Sequence, residues 1–150
     1  MKNLFAPNDL ETLKARMAQV RPDSDRKWGT MTVAQALAHC SLGVQTATGE
    51  LRPPRKLIGR ILGPMIKPKV LGDDAPMRRN SPTVPETIVR IEPDFAAEQA
   101  RLIGLLNNFA VAGPHGCTSH PHAFFGRLTP GEWAILMYKH VDHHLRQFGV

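Results

Sequence analysis

The chain closes on Lys139-His140-Val141-Asp142-His143-His144-Leu145-Arg146-Gln147-Phe148, which gathers three of its seven histidines. On a helix, residues four apart share a face, with Cβ atoms roughly 5–6 Å apart. His140 and His144 can therefore each aim an imidazole nitrogen at one ion, which zinc holds at about 2.0–2.1 Å. His143 stands three residues from His140, so spacing alone leaves two possible pairs. Their neighbours separate them. Trp133, Met137, Val141 and Phe148 flank the His140/His144 line, whereas Lys139, Arg146 and Gln147 surround His143. The pattern turns the first pair inward and His143 outward.

A third imidazole is found upstream, in the helical run Val33-Ala34-Gln35-Ala36-Leu37-Ala38-His39-Cys40. The positions three and four away from His39 are Gln35, Ala36, Leu42 and Gly43. The small ones leave room beside the ring, and Gln35 offers a polar contact. Three histidines on two helices make a three-ligand site with an open position, as catalytic ions use. The competing reading makes each a hydrogen-bonded core histidine. For a lone buried imidazole that is the commoner fate, but two inward imidazoles without an ion need several partners.

The elements that must position these residues read as helices. Asn8 and Glu11 have the spacing of a capping box for a helix to about residue 20, with Leu10, Leu13 and Met17 as its apolar stripe. Thr32 opens a second helix, to about residue 48, which carries His39. A third pattern, from about residue 55 to 70, is broken by Gly59, Gly63 and Pro64. Asp94 opens a fourth, closed by Gly113-Pro114. Thr129-Pro130-Gly131-Glu132 opens the last with a cap, a proline at the first helical position and a glutamate three after the cap. Thr83 to Ile91 comes nearest to strand-like alternation. The fold class is all-α: four long helices in a bundle and a fifth, broken one.

At 150 residues, 42% hydrophobic and 21% charged, the chain suits one globular domain over 1–150. Met1-Lys2-Asn3-Leu4-Phe5-Ala6-Pro7 lacks the apolar run of a signal peptide, and no stretch approaches about 18 apolar residues. Cys40 and Cys117 fit neither a disulfide framework nor a paired-cysteine metal site. The expected location is a reduced cytoplasm.

The pattern His-x-x-His-His-x-x-Gln from His140 to Gln147, with His39 in an Ala-Gln-x-x-x-His setting, resembles the DinB-like (YfiT-like) metal-binding bundles. Further segments resemble one subgroup known only as a domain of unknown function: Lys2 to Phe5, Trp28-Gly29-Thr30-Met31, Asn80 to Thr83, His120-Pro121-His122 and Phe124 to Pro130. The resemblance runs over nearly the whole chain. It implies a four-helix bundle of up-down-down-up course with a divalent ion (zinc, nickel or iron) on His39, His140 and His144. It also implies a homodimer and, from characterised relatives, a low-molecular-weight thiol as co-substrate of a transferase or isomerase. Reaction type does not transfer, because the subgroup has no established reaction. Trp28 and Asn80 become pocket residues through the resemblance alone.

An ion on three neutral imidazoles keeps its full charge, so it acidifies a water or thiol in its open position. The rings need partners on their second nitrogens. Asp142 lies on another face, which leaves Gln35 or backbone carbonyls. The loop from Cys117 to Phe125 precedes the last helix and can close over the mouth, with His120 and His122 either as proton carriers or simply held by the loop. Cys40 is about 100° round the helix from His39 and reads as core packing.

Charge is concentrated elsewhere. Between Arg52 and Arg79 lie eight Lys/Arg against two Asp, a surplus of +6, which equals the surplus of the whole chain, 19 against 13. Leu57, Ile58, Ile61, Leu62, Met65, Ile66 and Val70 are interleaved with them. Such a stretch can form core or a dimer interface, lie on an anionic membrane surface, or steer an anionic substrate. It lacks the aromatic residues of a nucleic-acid platform. Two functions follow for test: a metal-dependent enzyme of transferase or hydrolase type acting on an unidentified small molecule, or a non-catalytic binding protein whose basic segment meets a partner.

Overall fold

In the computed structural model, which describes residues 1–150, the chain forms five α-helices and no strand. They are α1 (Pro7–Met17), α2 (Val33–Thr48), α3 (Leu57–Leu71), α4 (Phe95–Ala112) and α5 (Pro130–Gln147). The caps read from sequence at three of them form as expected. The Thr32 hydroxyl accepts from the Gln35 N–H while the Gln35 side chain accepts from the Thr32 N–H, closing a capping box on α2. Thr129 and Glu132 do the same for α5, with Pro130 in the first turn. Asp94 accepts from the Ala97 N–H at the start of α4.

α1 departs from expectation. It begins at Pro7, its N-cap is Ala6, and no Asn8–Glu11 box forms. The preset φ of proline starts the helix two residues early, so Asn8 is already inside it. The chain before α1 is tied down by other acceptors: Asn3 Oδ1 takes the Phe5 N–H, and Asp9 Oδ2, from the first turn of α1, takes the Asn3 N–H. The helix stops at Met17 rather than Val20, although Val20 stays buried.

α3 is the second correction. It is continuous, with Pro64 and Pro68 inside it. Each proline leaves without a partner the carbonyl four residues back, at Arg60 and Pro64, and both of those residues are exposed, where water can serve. The glycines are a docking surface rather than breaks. A Cβ on Gly59 would stand 2.6 Å from Phe124 Cα, and one on Gly63 would overlap the Phe124 carbonyl. Only glycine lets α3 lie this close to the loop before α5.

The core unites 23 buried residues, among them Leu13 and Met17 of α1, Leu37 and Val44 of α2, Leu102 and Phe109 of α4, and Trp133 and Val141 of α5. α1 packs on α4 and α5, and α2 packs on the same two helices, so α2 and α5 run side by side with their histidines facing. The Thr83–Ile91 segment makes no strand. It holds a single 3-10 turn, Pro85–Thr87, that lies against α2 and buries Thr87. Cys40 is buried in the core as expected, and both cysteines are free thiols.

Candidate metal centre

α2 contributes His39 and α5 contributes His140 and His144, and their rings meet edge to face. Centroids are 4.8 Å apart for His39–His140, 5.0 Å for His39–His144 and 5.1 Å for His140–His144. One nitrogen from each ring lies within 4.8 Å of the other two, a cluster that can hold a metal ion. His120, His122 and His143 are not part of it.

The second nitrogens show how the rings are held. His39 Nδ1 lies 2.8 Å from the Thr87 carbonyl. A carbonyl only accepts, so the proton sits on Nδ1 and Nε2 keeps its lone pair. His144 Nδ1 lies 2.8 Å from Gln147 Oε1, and Gln147 Nε2 donates at 2.8 Å to the Trp28 carbonyl. The Trp28 carbonyl fixes which way the amide points, and the amide oxygen then fixes the proton of His144 on Nδ1. His140 Nε2 faces His39 Nε2 at 3.0 Å. Its Nδ1 edge backs onto Gly43, where a Cβ would stand 2.7 Å away.

All three rings are tuned to stay neutral. Burial lowers His140 well below the ordinary histidine range, and the neighbouring His39, His144, His143 and His122 add to this. Burial, then His39, brings His144 down to about 3. Burial lowers His39 too, opposed in part by the Thr87 carbonyl. Neutral imidazoles with a free lone pair are the form that binds metal.

The expected pocket residues divide. The Trp28 carbonyl holds Gln147, and the Trp28 ring lies 5.5 Å from the His143 ring, with the Arg79 guanidinium 4.2 Å over its face. Asn80 takes a left-handed φ of 54° and lies beside Gly29, whose lack of a Cβ admits the Gln147 amide. Gln35 does not serve His39. Its side chain is taken by the Thr32 N–H and the Ile91 carbonyl, and a backbone carbonyl, that of Thr87, orients the ring instead. Gly43, expected to make room for His39, makes room for His140. His122 is a loop residue: Nδ1 accepts from the N–H groups of Phe124 and Phe125, both at 3.1 Å, and its ring stacks on Phe125. His120 Nε2 reaches the Pro53 carbonyl at 3.4 Å.

The surroundings of His143 also differ from expectation. Lys139 is buried and donates to the Val70 and Asp73 carbonyls at 2.6 and 2.9 Å, Gln147 is buried beside His144, and His143 itself is half-buried. Of its three polar neighbours only Arg146 is exposed. Thr87 and Gln147 are the site residues that sequence reasoning missed. Gln147 had a signal, its spacing of three from His144, whereas the Thr87 contribution is a backbone atom and had none.

These shifts set a pH dependence. His122 is lowered to about 4 by burial and by Arg55, and His144 to about 3, from an ordinary value of 6.5. Below about 6.5 the unfolded chain takes up protons that the folded chain refuses, so stability is complete above that pH and falls on acidification. For His122 alone the difference amounts to about 3 kcal/mol. The melting temperature of chelator-treated protein should therefore decline steadily from about pH 6.5 toward pH 4, and a flat profile there would contradict the buried, neutral rings.

No curated protein and no solved structure matches the chain. The model of the family described as "protein of unknown function (DUF1569)" matches residues 5–149, and the chain belongs to that family.

Proposed function

We propose that this protein is a divalent-metal-binding member of the DinB-like bundles, of up-down-down-up course, with one ion held by Nε2 of His39, His140 and His144. One observation carries the reading. One ring nitrogen each from His39, His140 and His144 converges from two helices, while hydrogen bonds to Thr87 and Gln147 fix the far nitrogens of His39 and His144. A tetrahedral ion with bonds of about 2.0–2.1 Å separates its nitrogens by about 3.3 Å. The His39–His140 pair stands at 3.0 Å, close to that spacing, and all three nitrogens lie within 4.8 Å of one another.

Three neutral ligands leave the ion's charge uncompensated, which would acidify a water or thiol in its remaining position. The chain's own contribution is orientation. The Thr87 carbonyl and the Gln147 amide prevent the rings from turning, and burial keeps protons off them. A transferase or hydrolase acting through such a water or thiol is the enzymatic form of this reading.

The test is elemental analysis of untagged protein at neutral pH, which should find about one divalent ion per chain. Protein that stays metal-free after reconstitution with zinc, nickel and iron in turn would refute it.

A further inference from the structure

α3 presents its apolar side chains to solvent. Leu57 is 76% exposed, Ile61 73%, Met65 68%, Ile58 61% and Leu62 37%. At roughly 100° per residue these five fall within an arc of about 140° on one side of the helix. The opposite side carries Gly59 and Gly63, buried against the Phe124 loop. An aliphatic ridge of this kind is rarely left bare without a partner.

Its charge identifies the partner. α3 contains no Asp or Glu. Of the eight cations between Arg52 and Arg79, Lys56 is paired with Glu86 and Lys67 with Glu132. The other six, Arg52, Arg55, Arg60, Lys69, Arg78 and Arg79, have no carboxylate partner among the ion pairs. Both acids of the segment point elsewhere, Asp73 to Lys139 and Asp74 to the N-terminus. Two copies meeting through this face would oppose these cations like against like. An anionic surface neutralises them. A ridge of flexible aliphatic side chains, with exposed Arg60 on its flank and exposed Lys69 beyond its C-terminal end, needs no complementary groove when the partner is a bilayer interface.

We infer that α3 is an interfacial helix that lies on anionic membrane surfaces, with Leu57, Ile58, Ile61, Leu62 and Met65 dipping into the headgroup layer and Arg60 and Lys69 meeting lipid phosphates. No helix of the protein is long and apolar enough to cross a membrane, so the attachment is peripheral.

Co-sedimentation of the full chain tests this, with vesicles of phosphatidylcholine alone or mixed with phosphatidylglycerol. The protein should partition onto the mixed vesicles and leave them as salt is added. The triple variant Leu57→Ser/Ile61→Ser/Met65→Ser should weaken partition by about tenfold or more. Arg60→Glu and Lys69→Glu should each weaken it by about fivefold or more. All three variants alter exposed side chains, so melting temperature and metal content should match the parent protein. The inference is overturned by no partition onto either vesicle, equal partition onto both, unaltered partition by the triple variant, or a preference for an acidic polypeptide such as polyglutamate over vesicles. A parent dimer that the triple variant splits would assign the face to a second copy instead.

Discussion

His144→Ala is expected to abolish stoichiometric metal binding, and His39→Ala and His140→Ala to do the same. Structural zinc sites with four ligands are worth about 10–16 kcal/mol, so one ligand accounts for about 3 kcal/mol, roughly a hundredfold in affinity. The loss should exceed that where the remaining two rings are no longer fixed in a cluster. His143→Ala is the control. Its ring lies tilted against Trp28 outside the cluster, so the variant should keep about one ion per chain. Gln147→Leu should fall between, weakening the ion by about 10–100-fold, as loss of an orienting partner typically does. Isothermal titration with zinc on chelator-treated protein separates the three classes. If His143→Ala were as damaging as His144→Ala, the ligand pair on α5 would be His140/His143 and the assignment would fail.

The parts of this structure that were legible in the sequence are those written in local side-chain chemistry. Thr32, Asp94 and Thr129 cap their helices through their own oxygens, so the starts of α2, α4 and α5 could be placed to the residue. The His-x3-His spacing fixed a shared face on α5 whatever surrounded it. What could not be read depends on distant chain. Gly59 and Gly63 looked like interruptions because glycine weakens a helix, and only the Phe124 backbone lying against them shows why they are needed. Lys139 and Gln147 looked like a solvated face because their polar groups find partners in the 70–73 and 26–31 segments, remote in sequence. The carbonyl of Thr87 orients His39 through an atom that every residue type possesses. Period and spacing therefore located the three rings, while the contacts that hold them came from tertiary structure.

Gly43→Ala should cost the ion without costing the fold. Gly43 lies on α2 one turn beyond His39, and a Cβ there would stand 2.7 Å from Nδ1 and 2.9 Å from Cε1 of His140. Real Cβ atoms do not approach that closely, so something must give. The ring cannot retreat freely, because it is half-buried between α2 and α5 with Nε2 3.0 Å from His39. It must rotate or slide, and either movement takes its lone pair off the shared centre. A displaced ligand should weaken metal binding by about 10–100-fold, on the scale of lost ligand orientation. Alanine in a helix interior is favoured over glycine by roughly 0.5–1 kcal/mol, so α2 itself gains, and metal-free Gly43→Ala should melt within a few degrees of the parent. Gly104→Ala on α4 supplies the comparison. Nothing lies within 4 Å of its added Cβ, so it should raise the melting temperature and leave metal affinity alone. Gly43→Ala with the parent's affinity for zinc would show that His140 is not held where it is described, and the three-histidine centre would lose one of its ligands.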